Sequence, residues 1–245
     1  HSETSTGVIN DLQTITKHVQ EHGRAISIAD CVTSLGATNV PMDEWGIDVI
    51  ASGSQKGYMI PPGLSFVALS QKAWDFNASS DLPKFYLDLA SYQKTVKNNS
   101  NPFTPSVNLY FALDVALSMM EKEGLNSIFN RHQRHKNATR AGMEAIGLPL
   151  FANAEFSSPS ITAVQPNNID AEILRKKVKD NFDILLAGGQ DHLKGKVFRI
   201  GHLGFVNDRD ILTAVGAIES SLNSLGVLNK KLGDGIAATA RVLSM

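Results

Sequence analysis

Two short apolar runs constrain this chain most. Ala25–Ala29 (AISIA) stops at Asp30, and Gly46–Ala51 (GIDVIA) stops at Ser52-Gly53-Ser54-Gln55-Lys56-Gly57. Runs of this length, ended by small or charged residues, read as buried parallel strands. A third run, Leu64–Leu69, enters through Pro61-Pro62-Gly63, a strong turn signal. Ahead of them, Val8, Leu12, Ile15 and Val19 lie at helical spacings within residues 8–22, and Gly23 can end that helix. This alternation is the grammar of an α/β fold, whose ligands collect beyond the carboxyl ends of its strands.

Residues 78–105 are rich in Asn, Ser and Pro and predict a long irregular connection with a short helix near Tyr86–Ala90. Two long helices follow, Ser106–Lys122 and Leu125–Ile146, the second closed by Gly147 and Pro149. Then strand runs (Leu148–Ala152, Ile161–Val164, Asp183–Leu186, Lys196–Ile200) alternate with helices (Asp170–Asn181, Asp208–Leu225, Gly235–Leu243). Asn207 or Asp208 can cap the helix at 208. The pattern predicts two units, residues 1–130 and a smaller α+β unit over 131–245.

Charge excludes some partners. Lys plus Arg is 23 and Asp plus Glu is 24, a net charge of −1, so there is no basic excess for nucleic acid. No run approaches the roughly 20 apolar residues of a membrane helix. The single cysteine, Cys31, can supply neither an intramolecular disulfide nor a multi-thiolate metal site. It reads as a small buried filler. With the polar first residues, this cysteine usage predicts a cytoplasmic protein.

The chemistry centres on Lys56. A lysine in a Ser/Gly-rich turn after a buried strand can reach a cleft as the neutral amine that forms Schiff bases. Asp30 ends the neighbouring predicted strand and can face the same cavity, or simply cap the segment after it. Such a pair is what pyridoxal phosphate requires: a lysine for its aldehyde and a carboxylate for its pyridinium nitrogen.

Several motifs, in order, carry a resemblance. They are His1-Ser2-Glu3-Thr4-Ser5-Thr6-Gly7, Asp30-Cys31-Val32-Thr33-Ser34-Leu35-Gly36, Asp43-Glu44-Trp45-Gly46, Ser52-Gly53-Ser54-Gln55-Lys56-Gly57 and Pro61-Pro62-Gly63-Leu64-Ser65-Phe66. Pro102-Phe103-Thr104-Pro105 and Gly195-Lys196-Val197-Phe198-Arg199-Ile200-Gly201 continue them. The set resembles the class V pyridoxal-phosphate-dependent aminotransferases, nearest the alanine–glyoxylate and serine–glyoxylate branch.

That resemblance implies fold type I: part of a large domain with a mainly parallel sheet, and a smaller C-terminal α+β domain. It implies a homodimer with active sites at the subunit interface. Lys56 matches the cofactor lysine and Asp30 the acid on the pyridinium nitrogen. Val32 matches the residue under the ring, Ser5 the hydroxyl near the phenolic oxygen, and Gln55 a phosphate ligand. Thr104 matches a threonine that reaches the neighbouring subunit's phosphate, and Arg199 the arginine that binds the substrate carboxylate. The implied reaction is a ping-pong transamination through a Lys56 Schiff base, from alanine or serine to glyoxylate or a similar 2-oxo acid. Asn101 departs from the tyrosine often found three residues before the phosphate threonine. The family's chain begins well before His1, so its glycine-rich phosphate turn and ring-stacking aromatic have no counterpart here.

Other readings differ in class. One is a non-catalytic relative or subunit of the kind labelled soluble hydrogenase small subunit, although one cysteine cannot hold a nickel–iron or iron–sulfur centre. Another is an inactive fragment. A cysteine desulfurase-like enzyme fits less well, because Gln55 precedes the lysine where that group resembles Ser-x-His-Lys. No metal site is expected. His132 and His135 read as solvated helix histidines, and the run Arg131–Lys136 (RHQRHK) as a solvated face. His202, three residues after Arg199, is a candidate for substrate contact.

Overall fold

The computed structural model describes residues 1–245. The chain opens on a small antiparallel hairpin, β1 (Ser2–Glu3) with β2 (Val8–Ile9). The first helix, α1 (Leu12–His22), therefore starts later than its apolar stripe suggests. The Asp11 carboxylate caps it, accepting from the Thr14 amide at 3.1 Å, and Gly23 ends it in the left-handed conformation.

The first sheet has the order β3 (Ile28–Asp30), β4 (Val49–Gly53), β5 (Ser65–Leu69). Strands β3 and β4 are parallel, with Asp30 opposite Ala51. The third run returns antiparallel, so this sheet is mixed. A short helix, α2 (Met42–Trp45), bridges β3 and β4. Leu12, Ala29, Cys31, Ile47 and Ile50 form the core beneath. Asp48 ties the sheet's entry edge together. Its carboxylate accepts from the Ser27 amide (2.9 Å) and the Ser70 hydroxyl (2.9 Å), and Lys72 lies 3.6 Å away.

Helices α3 (Gln71–Ser79) and α4 (Leu89–Val96) occupy the segment before and within the long connection. The long helices are α5 (Val107–Glu123) and α6 (Leu125–Ala145). The second sheet is antiparallel, ordered β6 (Ile161–Val164), β8 (Phe198–Gly201), β7 (Ala187–Gly188). Leu148–Ala152 makes only a single bridge, Leu150 to Val164, not a strand. The strand expected at Asp183–Leu186 forms later, because Asp183 is the left-handed cap of α7 (Ala171–Phe182). A 3-10 turn (Asp191–Leu193), α8 (Asp208–Ser224) and α9 (Asp234–Leu243) complete the chain. Asn207 and Asp210 form a reciprocal capping box on α8. The larger core gathers Met143, Val164, Leu174, Phe198, Val215 and Ile218 between these helices and the second sheet.

The basic run on α6 is not a solvated face. His132, His135 and Lys136 are buried. The reason is packing: α6 lies against α8 and α9, and its cations meet partners there. Arg134 forks onto Asp208 with both bonds at 2.9 Å, and His135 donates to the same carboxylate at 2.8 Å. Cys31 is fully buried, and burial pushes its thiol up. No helix is long and apolar enough to cross a membrane.

Candidate active site

Because β3 and β4 run parallel and side by side, their carboxyl ends share one edge of the sheet. Asp30 closes β3, and Lys56 sits in the turn just after β4. One oxygen of the Asp30 carboxylate accepts from the Val32 amide at 2.9 Å, which orients the group and leaves the other oxygen free. The Lys56 turn is packed against bare backbone. A methyl group on Gly57 would lie 2.2 Å from the Leu35 carbonyl oxygen, so only glycine fits there.

Beside this edge lies an open cleft of about 230 Å³, lined among others by Thr4, Thr33, Gln55, Lys56 and Ser160. Ile161 and Gly201 line it from the second sheet, and Leu203 from the loop after β8. The volume falls below the roughly 300 Å³ at which pockets that enclose a ligand begin, so the cleft is shallow. Lys56 borders this cleft, and its amine makes no hydrogen bond or ion pair within the chain.

Arg199 approaches from β8, opposite Ala163 and Ala187. It is buried, and two of its donors are committed: Nε to the Gly188 carbonyl and Nη1 to the Thr4 carbonyl, both at 2.8 Å. Nη2 carries no bond within the chain. Burial, with Arg175 nearby, lowers the guanidinium's proton affinity, and Glu3 opposes this. Arg199 does not itself line the cleft; its link to it is the bond to the carbonyl of Thr4, a lining residue.

The other expected residues divide. Gln55 lines the cleft, and a methyl group on Gly53 would meet Gln55 Oε1 at 3.1 Å and Val32 Cγ1 at 3.8 Å. Gln55 and Val32 therefore flank one bare stretch of backbone. The Ser5 hydroxyl donates to Glu3 at 2.7 Å, and Thr4, which sequence reasoning passed over, faces the cleft instead. Thr104 is exposed on the loop before α5 and does not reach this cleft. His202 lies between two cleft residues but points away from them. It is fully buried, donates from Nδ1 to the Pro159 carbonyl (2.8 Å) and pairs with the Thr162 hydroxyl (2.9 Å). Burial lowers its pKa to about 3, so it is a neutral brace.

These residues fit pyridoxal phosphate. A free lysine amine and a half-engaged carboxylate on the next strand end suit an aldehyde and a pyridinium nitrogen. The buried Ser52 hydroxyl, just before the lysine turn, has no partner within the chain.

A sequence model of the aminotransferase class-V family matches residues 1–206. The soluble hydrogenase small subunit of Synechococcus sp. (strain PCC 6716) is 62% identical over 244 residues, covering 100% of this chain and 64% of that protein. The serine–glyoxylate aminotransferase of Arabidopsis thaliana is 36% identical, covering 99% of this chain and 61% of that one. The crystal structure of ureidoglycine–glyoxylate aminotransferase from Bacillus subtilis superposes with a TM-score of 0.93 at 29% identity, over 100% of this chain and 64% of that one. The fold is thus that of the pyridoxal-phosphate-dependent enzymes of fold type I. The chain belongs to the class V aminotransferases. It spans about 64% of the length of the first relatives it matches.

Proposed function

We propose that this chain carries the lysine-bearing wall of an aminotransferase that moves an amino group from a small amino acid, alanine or serine, to glyoxylate or a similar 2-oxo acid. The observation that carries the reading is the pairing of strand ends. Asp30 and Lys56 occupy one sheet edge, and Arg199 is bonded to Thr4, which lines the same cleft as Lys56. Glyoxylate also appears in the names of two similar proteins, the plant serine–glyoxylate and the Bacillus subtilis ureidoglycine–glyoxylate enzymes.

Bound pyridoxal phosphate supplies an aldehyde for an amine and a ring that withdraws electrons from the substrate Cα. Lys56 is the residue that holds it and, once displaced, the base that takes the Cα proton on its Nζ. Asp30 holds a proton on the pyridinium nitrogen through its free oxygen. Val32 packs under the ring, and Gln55 and Ser5 bind the phosphate and the phenolic oxygen. Ser5 must leave Glu3 to do so. Arg199 offers Nη2 to the substrate carboxylate, a charge-assisted bond suited to a guanidinium. Thr104 serves the site of a second copy, which accords with its distance from this cleft. The exposed apolar residues Phe85, Leu87, Phe111 and Val115 support such a dimer, since faces of this kind are usually covered. A cytoplasmic location accords with one buried, unpaired cysteine.

The subunit name of the Synechococcus relative favours a second reading, a partner of a hydrogenase. One buried thiol cannot hold a nickel–iron or iron–sulfur centre within this chain, so that reading is restricted to a non-metal role. Mixing the full-length, cofactor-loaded protein with serine or alanine and glyoxylate, then measuring glycine, separates the two. Glycine formation supports the aminotransferase. Absence of glycine from every donor, with co-purification of a metal-bearing large subunit, supports the partner role.

A further inference from the structure

The turn that carries Lys56 is strained. Met59 adopts φ +63°, the left-handed region that a bulky non-glycine residue occupies only where its surroundings hold it. Within the turn, the Met59 amide donates to the Lys56 carbonyl at 3.0 Å. What covers this bond comes from the far part of the chain. Gly204, also left-handed at φ +86°, lies so close that a methyl group on it would sit 3.0 Å from the Lys56 carbonyl oxygen and 3.5 Å from Met59 Cγ.

Gly204 is held there by two consecutive residues of α6. The His132 ring donates from Nδ1 to the Ile128 carbonyl at 2.8 Å, which leaves Nε2 as an acceptor; it takes the Gly204 amide at 3.0 Å. Arg131 Nη1 donates to the Gly204 carbonyl at 3.0 Å and to the Val206 carbonyl at 3.1 Å. The guanidinium is itself fixed by a two-bond fork to Glu123, at 2.6 and 3.1 Å. Both backbone polar groups of Gly204 are thus tied to one helix, and the bare face of the glycine is turned onto the lysine turn.

We propose that Arg131 and His132 are positioning residues for Lys56. Through Gly204 they hold the strained Lys56–Met59 turn in the one arrangement that presents the lysine to the cleft. This deepens the reading of Lys56 as cofactor anchor and rests on it for its catalytic consequence.

The test uses full-length protein and three variants. His132→Phe keeps ring volume and removes the acceptor, His132→Gln restores an acceptor oxygen, and Gly204→Ala pushes a methyl group into the contact. Two quantities are read: hydrogen exchange at the Met59 amide, and the rate at which borohydride traps pyridoxal phosphate on Lys56. One lost buried hydrogen bond predicts Met59 exchange about tenfold faster in His132→Phe and Gly204→Ala. Exchange at Ile50 in β4 should stay unchanged, trapping should slow, and both should recover in His132→Gln. A uniform rise at Met59 and Ile50 alike, or no rise at Met59, overturns the proposal. If the wild-type protein traps no cofactor on Lys56, the proposed function fails, and the exchange pattern still decides the positioning role.

Discussion

Gly57 and Leu35 meet through backbone alone: a methyl group on Gly57 would lie 2.2 Å from the Leu35 carbonyl oxygen and 3.0 Å from Gly36 Cα. The loop after Asp30 and the turn that bears Lys56 are locked to each other by this contact. Gly57→Ala must push them apart. It should destabilise the protein by roughly 1–3 kcal/mol, the range for forced overpacking of a rigid contact. Urea unfolding checks this, and a loss below about 0.5 kcal/mol would show that the contact is soft.

Arg199→Lys should act on binding. Lysine keeps the charge but cannot hold the Gly188 and Thr4 carbonyls and offer a further donor at once. Loss of a charge-assisted bond of about 1.5–3 kcal/mol predicts a KM for the amino acid raised roughly 10- to 100-fold. Steady-state kinetics with serine, alanine and glyoxylate give the comparison. An unchanged KM for every carboxylate substrate would remove Arg199 from the site.

Asp48 should matter for folding at the opposite end of the strands from the site. Burial opposes its ionisation, but the bonds from Ser27 and Ser70 and the charge of Lys72 win, so its pKa is lowered. Stability from this group is complete above the ordinary carboxylate range and is lost as pH falls through the lowered folded value. Asp48→Asn should cost about 1–3 kcal/mol at neutral pH, the penalty for a disrupted buried polar cluster, and lose most of its effect in strong acid. Melting curves at neutral pH and at successive steps below the ordinary carboxylate range distinguish this from a pH-independent packing defect.

Two buried histidines predict a different pH response. Burial lowers His132 to about 4 and His202 to about 3. Unfolded histidines take up protons near pH 6.5, so below that value the unfolded chain binds more protons than the folded one. Stability should therefore fall as pH drops from about 6.5 toward 4, by ~1.4 kcal/mol per pH unit for each ring. The His132 contribution levels off near pH 4 and that of His202 near pH 3. His202→Asn should flatten the slope of the urea midpoint against pH. An identical slope in wild type and variant would contradict this account of His202.

The strand ends are the part of the site most legible in the sequence. Asp30 and Lys56 can be placed because an apolar run that ends abruptly marks both a strand and its edge, and a parallel pair puts those edges together. Arg199 follows from its motif, and the bond to Thr4 then ties it to the cleft. The cleft role of Thr4 is not legible, since β1 and β2 are too short to leave a periodic signal and Thr4 and Ser5 both lie in the turn between them. The histidines of α6 mislead for another reason. A run of alternating cations looks solvated along one helix, and only the distant residues Glu123, Gly204 and Asp208 bury and pair it. The strand misplaced to Asp183–Leu186 has a local cause: an aspartate in the left-handed conformation ends α7, and its side chain gives no clear advance notice of that.

The covalent chemistry of the Lys56 amine is open to direct measurement. The full-length protein is loaded with pyridoxal phosphate, reduced with borohydride, digested and mapped by mass spectrometry. The predicted result is a pyridoxyl-phosphate adduct on Lys56 alone, absent when serine is added before reduction and absent in Lys56→Ala. Adducts scattered over surface lysines, with Lys56 unmodified, would contradict it.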